Sequence, residues 1–319
     1  MTVLNKLEGA AHTLARWASA PARAAARLRA RHSARGDGDG RHPDVVGIAL
    51  AIILLSGLCL VAYPTVADWV NSRTQSVAVA SYSAAVAQAS DGDLAVLRAA
   101  AAAWNAELAA SGDQRTFSAV NHERYERLLD AAGSSVMGTV EVPKIGVSLP
   151  VYHYATDQVL ASAVGHLEWS SLPVGGEGTH CVLSGHRGLP SATLFSNLDR
   201  LREGDAFSLQ VLGETLTYEV ESIRIVEPGD TSALAIRPGE DLCTLVTCTP
   251  YGVNTQRLLV TGHRIANPGD SSVEVAAEAR VVDPLVVAAL LAGTTLLAML
   301  AVVMVRTGRG GAGGRGAAR

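Results

Sequence analysis

The sequence predicts a mainly β domain of about 130 residues, preceded by a helical segment and flanked by two membrane-spanning helices. Three observations predict it. Two uncharged apolar runs lie near the ends of the 319-residue chain. The arginines gather on the outer flanks of those runs. From Val136 onward, short strand-like runs alternate with Gly, Pro and Asp punctuation.

The first apolar run is Val45 to Ala62, followed by Tyr63 and Pro64; the second is Pro284 to Val305, ended by Arg306. At 1.5 Å per residue each is about long enough for a bilayer core. Residues 1–43 carry eight Lys and Arg against three acids, and 306–319 carry four arginines and no acid. By the positive-inside rule both ends lie in the cytoplasm and the middle lies outside the cell. That middle, 44–305, holds fourteen basic and twenty-seven acidic residues, a net charge of −13. A nucleic-acid binder would carry its positive charge on the folded domain, so that class is excluded. The leader before the first run is long for a cleaved signal, and no small-x-small site follows directly, so this run is expected to remain as an anchor. The expected organisation is a basic tail (1–43), a span (44–66), a helical or lid region (67–135), a catalytic barrel (136–266), a linker (267–283), a second span (284–305) and a tail (306–319).

Residues 74–112 are rich in alanine, with Leu94, Leu97, Trp104 and Leu108 at roughly helical spacing. One or two helices are expected there, broken at Asp91-Gly92-Asp93 and stopped by Ser111-Gly112-Asp113. Residues 118–130 read as another short helix with Tyr125, Leu128 and Leu129 on one side. Val140-Glu141-Val142, the alternating run Thr215 to Val220, and Arg257 to Ile265 read as strands of a barrel or sandwich.

The chemistry centres on Cys248, which ends the apolar, β-branched run Leu242 to Thr249 and is followed by Pro250-Tyr251-Gly252. A strand end is where a cleft forms. His186, in Ser184-Gly185-His186-Arg187-Gly188, also ends an apolar strand. A thiol needs a proton acceptor to become a reactive thiolate, and imidazole is the usual one. Arg257 opens the next strand and offers a permanently charged fork to a developing oxyanion. Singly, each has an ordinary reading: a small buried hydrophobe, a core histidine, a surface charge. Of the other histidines, His12, His32 and His42 lie on the cytoplasmic side. His122 falls in an expected helix, and His153, His166 and His180 lack the Gly-His-Arg-Gly setting. His263 sits within a strand and reads as structural.

Thr244-Leu245-Val246-Thr247-Cys248 with an arginine nine positions on resembles the signature of sortases, the membrane-anchored cysteine transpeptidases of Gram-positive bacteria. VMGTVEVPKI (136–145), GHLEWSSLPVGGEGTH (165–180), GHRGLPSATLF (185–195) and TLVTCTPYGVNTQRLLVTGHRI (244–265) are similar to class C, the pilus-assembling branch. A second, C-terminal span also fits that class. The resemblance implies a closed β-barrel and a catalytic trio of His186, Cys248 and Arg257. It implies that Cys248 attacks the Thr–Gly carbonyl of an LPXTG-like sorting signal and forms a thioester. A lysine amine of a pilin subunit then resolves it, with attachment of surface proteins to the peptidoglycan cross-bridge as the alternative. A scaffold that only binds pilins is the reading outside the enzyme class, and the intact trio argues against it. Hydrolysis, with water in place of the amine, is a conceivable side activity. The implied partners are LPXTG-bearing pilins or surface proteins and the lipid bilayer. No metal or cofactor is implied, and no Cys/His cluster has zinc-ligand spacing.

Two departures from the class pattern stand out. Gln256 replaces the histidine that often precedes the arginine. The class lid, an Asp-Pro-aromatic motif, corresponds here to Gln114-Arg115-Thr116-Phe117-Ser118, where only Phe117 matches. Finally, Cys181 lies five residues before His186, and Cys243 five before Cys248. If the two strands run parallel side by side, the equal offsets set these cysteines level, within the Cα range of a possible disulfide. A bridge between directly paired strands is strained, which argues the other way.

Overall fold

The computed structural model describes residues 45–267 and, beyond them, only 288, 292, 293, 295, 296 and 299, all helical. The rest of the expected second span, 284–305, and the tails lie outside the described residues. The chain divides into two compact units, 1–54 and 55–319. The first is described only from Val45, as the opening of a helix.

That helix, α1, runs unbroken from Val45 to Gln88, with Pro64 inside it. Its apolar N-terminal half is long enough to cross a membrane. No helix boundary falls at 66, because the Ala/Ser/Val-rich stretch after Pro64 continues the helix. Helix α2 (Asp91–Ala110) follows after two residues. Here the expectation of a break at Asp91-Gly92-Asp93 is corrected. Ser90 caps the helix by accepting from the Asp93 backbone N–H at 3.1 Å, and the two aspartates occupy the first turn, where the helix dipole favours them. The other end stops as expected, at Ser111 and at Gly112 with φ +70°. Ala101, Trp104, Asn105 and Leu108 of α2 are buried on one face. The single helix expected over 118–130 is two: α3 (Gln114–Val120) and α4 (His122–Arg127), separated by Asn121. Tyr125, Leu128 and Leu129 are buried, as the pattern required.

Eight strands form a closed barrel: β1 (Val136–Val142), β2 (Val147–His153), β3 (Val164–His166), β4 (Thr179–Gly185), β5 (Ala206–Val211), β6 (Glu214–Val226), β7 (Asp241–Thr249) and β8 (Gln256–Ile265). Their order around the barrel is β1-β2-β3-β4-β7-β8-β6-β5, with β5 pairing back onto β1. Only β2–β3 and β4–β7 are parallel. Alternation decides what fills the interior. Leu216, Tyr218 and Val220 of β6 point in, with Cys181 and Leu183 of β4, Cys243 and Leu245 of β7, and Leu258 and Val260 of β8. On the opposite face of β4, β7 and β8, Val182, Val246 and Leu259 join Leu234 in a smaller cluster, with Leu167 and Trp169 packed against it. Cys248 and Arg257 stand on that outer face.

Candidate active site

Strand β7 lies between β4 and β8; Cys248 is on β7, Arg257 on β8, and His186 directly follows β4. Cys248 is directly opposite Arg257 in the antiparallel β7–β8 ladder. Val246, two residues earlier, is level with Ser184 in the parallel β4–β7 ladder. The ladder ends there, and β4 ends at Gly185, one residue before His186. The Thr247 hydroxyl extends the pairing past the ladder by donating to the Gly185 carbonyl at 2.8 Å. Parity places Cys248 and Arg257 on the outer face, in line with Val246 and Leu259, and His186 is the residue after β4. Each is half-buried, reachable by a substrate yet supported from below.

Two glycines shape the loop after β4. A Cβ on Gly185 would meet the Phe195 ring at 2.6 Å, so His186 enters its turn over an aromatic floor. Gly188 has φ +76° and lies flat against Tyr251, with a hypothetical Cβ 3.3 Å from that ring. Arg187 is a functional neighbour that the sequence reading passed over. Its guanidinium pairs with Asp199 at 2.6 Å, donates to the Thr249 hydroxyl at 3.4 Å and lies 5.7 Å from the centre of the Tyr251 ring. It thereby ties the His186 loop to the end of the strand that bears Cys248. The Gly-His-Arg-Gly string was the available signal.

Arg257 donates to the backbone carbonyls of Gln256 at 3.1 Å and Asn254 at 3.4 Å. Among the described residues no carboxylate pairs with it. The other histidines of the barrel region are occupied. His166 bonds the Tyr125 hydroxyl and the Ser171 carbonyl, both at 2.8 Å. His180 bonds Ala235 and Thr244, and His153 faces the carbonyls of Leu128 and Ser135. His263 stands 3.6 Å from Glu221. Burial holds His153 and His180 below the usual imidazole range, against the carbonyl bonds that pull them up.

Phe117, the expected lid residue, lies on α3. Its ring packs edge-on against Trp104, centroids 4.9 Å apart, alongside the main core. Asp113 caps α3, and the Ser118 hydroxyl donates to the Glu168 carbonyl at 2.8 Å. Arg115 of the same helix stacks on Trp169 at 4.5 Å, at the margin of the outer apolar cluster. The Asp113 carboxylate is engaged by the Arg115 and Thr116 backbone N–H groups and the Thr116 hydroxyl, and the partly buried Phe117 ring packs against the core.

Cys181 and Cys243 are Cα partners in the β4–β7 ladder, both buried inside the barrel. The possible bridge between them is not formed in the structure: both are free thiols. Directly paired strands let the two sulfurs interact as thiols without the strain of a bridge. Burial pushes both up. At Cys243 the neighbouring Cys181 adds to that rise.

Comparison with known proteins places this geometry. Residues 140–265 match the sortase domain. Sortase C1 of Streptococcus agalactiae is 42% identical, with 60% of this chain and 98% of that one covered and a TM-score of 0.55. Sortase C of Clostridium perfringens, solved with the C-terminal cell wall sorting motif, is 36% identical over 60% of this chain and 99% of that one, with a TM-score of 0.52. Sortase D of Bacillus subtilis (strain 168) is 32% identical over 131 residues, 40% of this chain and 63% of the relative. The chain spans about 60% of the length of the curated relatives it matches. An eight-stranded barrel with its cysteine and arginine paired across β7 and β8, matched along nearly the full length of these solved structures, makes the chain a member of the sortase family, with class C sortases among its structural relatives.

Proposed function

We propose that the protein is a pilus-assembling transpeptidase that cleaves an LPXTG-like sorting signal between Thr and Gly and joins the Thr to a lysine amine of a pilin subunit. The observation that supports this reading is the direct pairing of Cys248 with Arg257; His186 directly follows β4, the strand parallel to β7. In the proposed reaction the Cys248 thiol loses its proton to His186, and the sulfur attacks the Thr carbonyl carbon. The oxyanion that forms is held by the Arg257 fork. Collapse breaks the Thr–Gly C–N bond, and the proton on His186 goes to the departing glycine amine. The lysine amine then attacks the thioester and gives its proton to His186. The sulfur leaves as the new isopeptide bond forms. Water in place of the amine gives slow hydrolysis. The outer apolar cluster of Val182, Val246 and Leu259 lies on the same face as Cys248 and Arg257 and offers a floor for the apolar start of the signal.

In this reading the apolar half of α1 spans the membrane, and the barrel stands outside the cell. A second span at 284–305 would return the C-terminus to the cytoplasm. The test is a blot of cell-wall extracts from cells carrying the parent protein or Cys248→Ala. Loss of a high-molecular-weight ladder in the variant supports pilin polymerisation. Loss of a single anchored band moves the function to surface-protein attachment, and an unchanged pattern refutes both.

A further inference from the structure

Asp68, Asn71, Gln75 and Tyr82 fall on one face of α1, at helical spacings of three, four and seven. Each is bonded to the barrel or its loops. The Asp68 carboxylate accepts from the Thr193 backbone N–H at 2.7 Å and from its hydroxyl at 3.0 Å. Asn71 donates to the Ser191 carbonyl and Gln75 to the Ser162 carbonyl, both at 2.7 Å. The Tyr82 hydroxyl donates to the Met137 carbonyl and accepts from the Leu212 N–H, both at 2.9 Å. Val86, one turn further, lies against Gly213 in the β5–β6 turn. The helix is therefore a ruler laid along the barrel. From Asp68 to Val86 it measures about 27 Å at 1.5 Å per residue.

The low end of the ruler is the His186 loop, 187–193. The turn that follows Cys248 packs on that loop through Tyr251 against Gly188 and Arg187 against Thr249. The membrane boundary is marked on the same helix. Tyr63 and Trp69 are each 59% exposed on α1, and the Arg73 guanidinium lies 6.0 Å from the centre of the Trp69 ring. Exposed aromatics with a cation beside them, just past an apolar span, are the usual furnishing of the water–lipid interface. Asp68 and Asn71, which grip the loop, flank Trp69. The turn after Cys248 also carries two large exposed apolar side chains, Tyr251 at 61% and Val253 at 65%. Polar turns do not ordinarily present such residues to water.

We propose that Tyr251 and Val253 rest in the headgroup layer of the bilayer that α1 enters, so that the cleft of Cys248 opens along the membrane surface. The surface is recognised as lipid through continuity with α1, and the proposal rests on the reading of α1 as a span. A substrate still tethered in the membrane then meets Cys248 at the height of its own exit from the bilayer.

The test uses the full chain with Cys59→Ser and Cys248→Ala, so that a nitroxide can be placed at Val253→Cys while Cys181 and Cys243 stay buried. A matched label at Thr215→Cys reports the opposite end of the barrel. Both proteins are reconstituted into vesicles of phosphatidylcholine and phosphatidylglycerol. Collision with a water-soluble nickel chelate is compared with collision with oxygen. The expected result is nickel accessibility at 253 at least threefold below that at 215, with oxygen accessibility raised. Insertion of seven helical residues between Val66 and Ala67, lifting the loop by about 10 Å, is expected to bring 253 to the level of 215. Vesicle flotation reads the span itself, and a chain that does not float refutes the span reading and the proposal with it. A chain that floats with equal nickel accessibility at the two sites overturns the proposal alone. That is also the outcome if a protein partner, rather than lipid, covers the turn.

Discussion

Arg257 carries a charge that no carboxylate neutralises among the described residues, and it stands across the ladder from Cys248. Lysine would keep the charge and lose the two-pronged geometry. Arg257→Lys is therefore expected to lower kcat/KM for a fluorogenic LPXTG peptide by about 100-fold, comparable with loss of one oxyanion donor. Full-chain protein in micelles with near-parent turnover would remove Arg257 from that role. Phe117 is expected to behave as a packing residue. Phe117→Ala should cost about 2 kcal/mol of stability through its lost contact with Trp104, while peptide cleavage stays within about twofold of the parent. A large activation would reinstate it as a cover of the site. Both assignments show what residues reveal before folding. The candidate trio could be picked out because such residues sit in short strings at strand ends. The partner of Phe117 and the bonds of Arg187 were not, because Trp104, Asp199 and Thr249 come from elsewhere in the chain.

Strand alternation and the paired offsets of the four residues on β4 and β7 were readable, and the register followed from them. The helical region was read less well. Asp91-Gly92-Asp93 looks like a breaker, but one serine ahead of it turns the same string into a helix start. Close backbone approach is also silent in a sequence. A Cβ on Gly165 of β3 would stand 2.3 Å from the Tyr154 carbonyl oxygen and 2.5 Å from the Ala155 Cα. Backbone cannot yield as a side chain does, so Gly165→Ala is expected to lower Tm by about 6 °C or more, or to prevent folding. An unchanged melting curve would contradict this packing. The buried histidines give the strands a pH response. His153 on β2 and His180 on β4 are held below their ordinary value by burial. Once unfolded they take up protons near pH 6.5. Below that pH the unfolded chain binds more protons than the folded one, so stability is full above it and falls as pH drops. Tm should decrease between pH 7 and 5, and His180→Asn should flatten that slope. An equal slope in the variant would assign the effect elsewhere.

Across the whole molecule, the docking of α1 on the barrel is the feature least legible in the sequence. Its contact face is Asp68, Asn71, Gln75 and Tyr82, three polar residues and one phenol, which no hydrophobic periodicity marks. Tyr82 is 3% exposed, and burial raises its hydroxyl above the usual phenol range. Tyr82→Phe leaves the Met137 carbonyl and the Leu212 N–H without their partner, at a cost of about 2 kcal/mol. A Tm lower by roughly 4–8 °C in circular dichroism of the full chain in micelles is expected, and no shift would mean water replaces the hydroxyl. The closed strand order has a consequence for when the enzyme comes into being. Strand β7 inserts between β4, synthesised about sixty residues earlier, and β8, synthesised next. Until that insertion both neighbours are open edges, and Cys248 has neither the imidazole nor the guanidinium beside it. The pairing that sets Cys248 opposite Arg257 and beside the end of β4 is therefore complete only when the ring is closed.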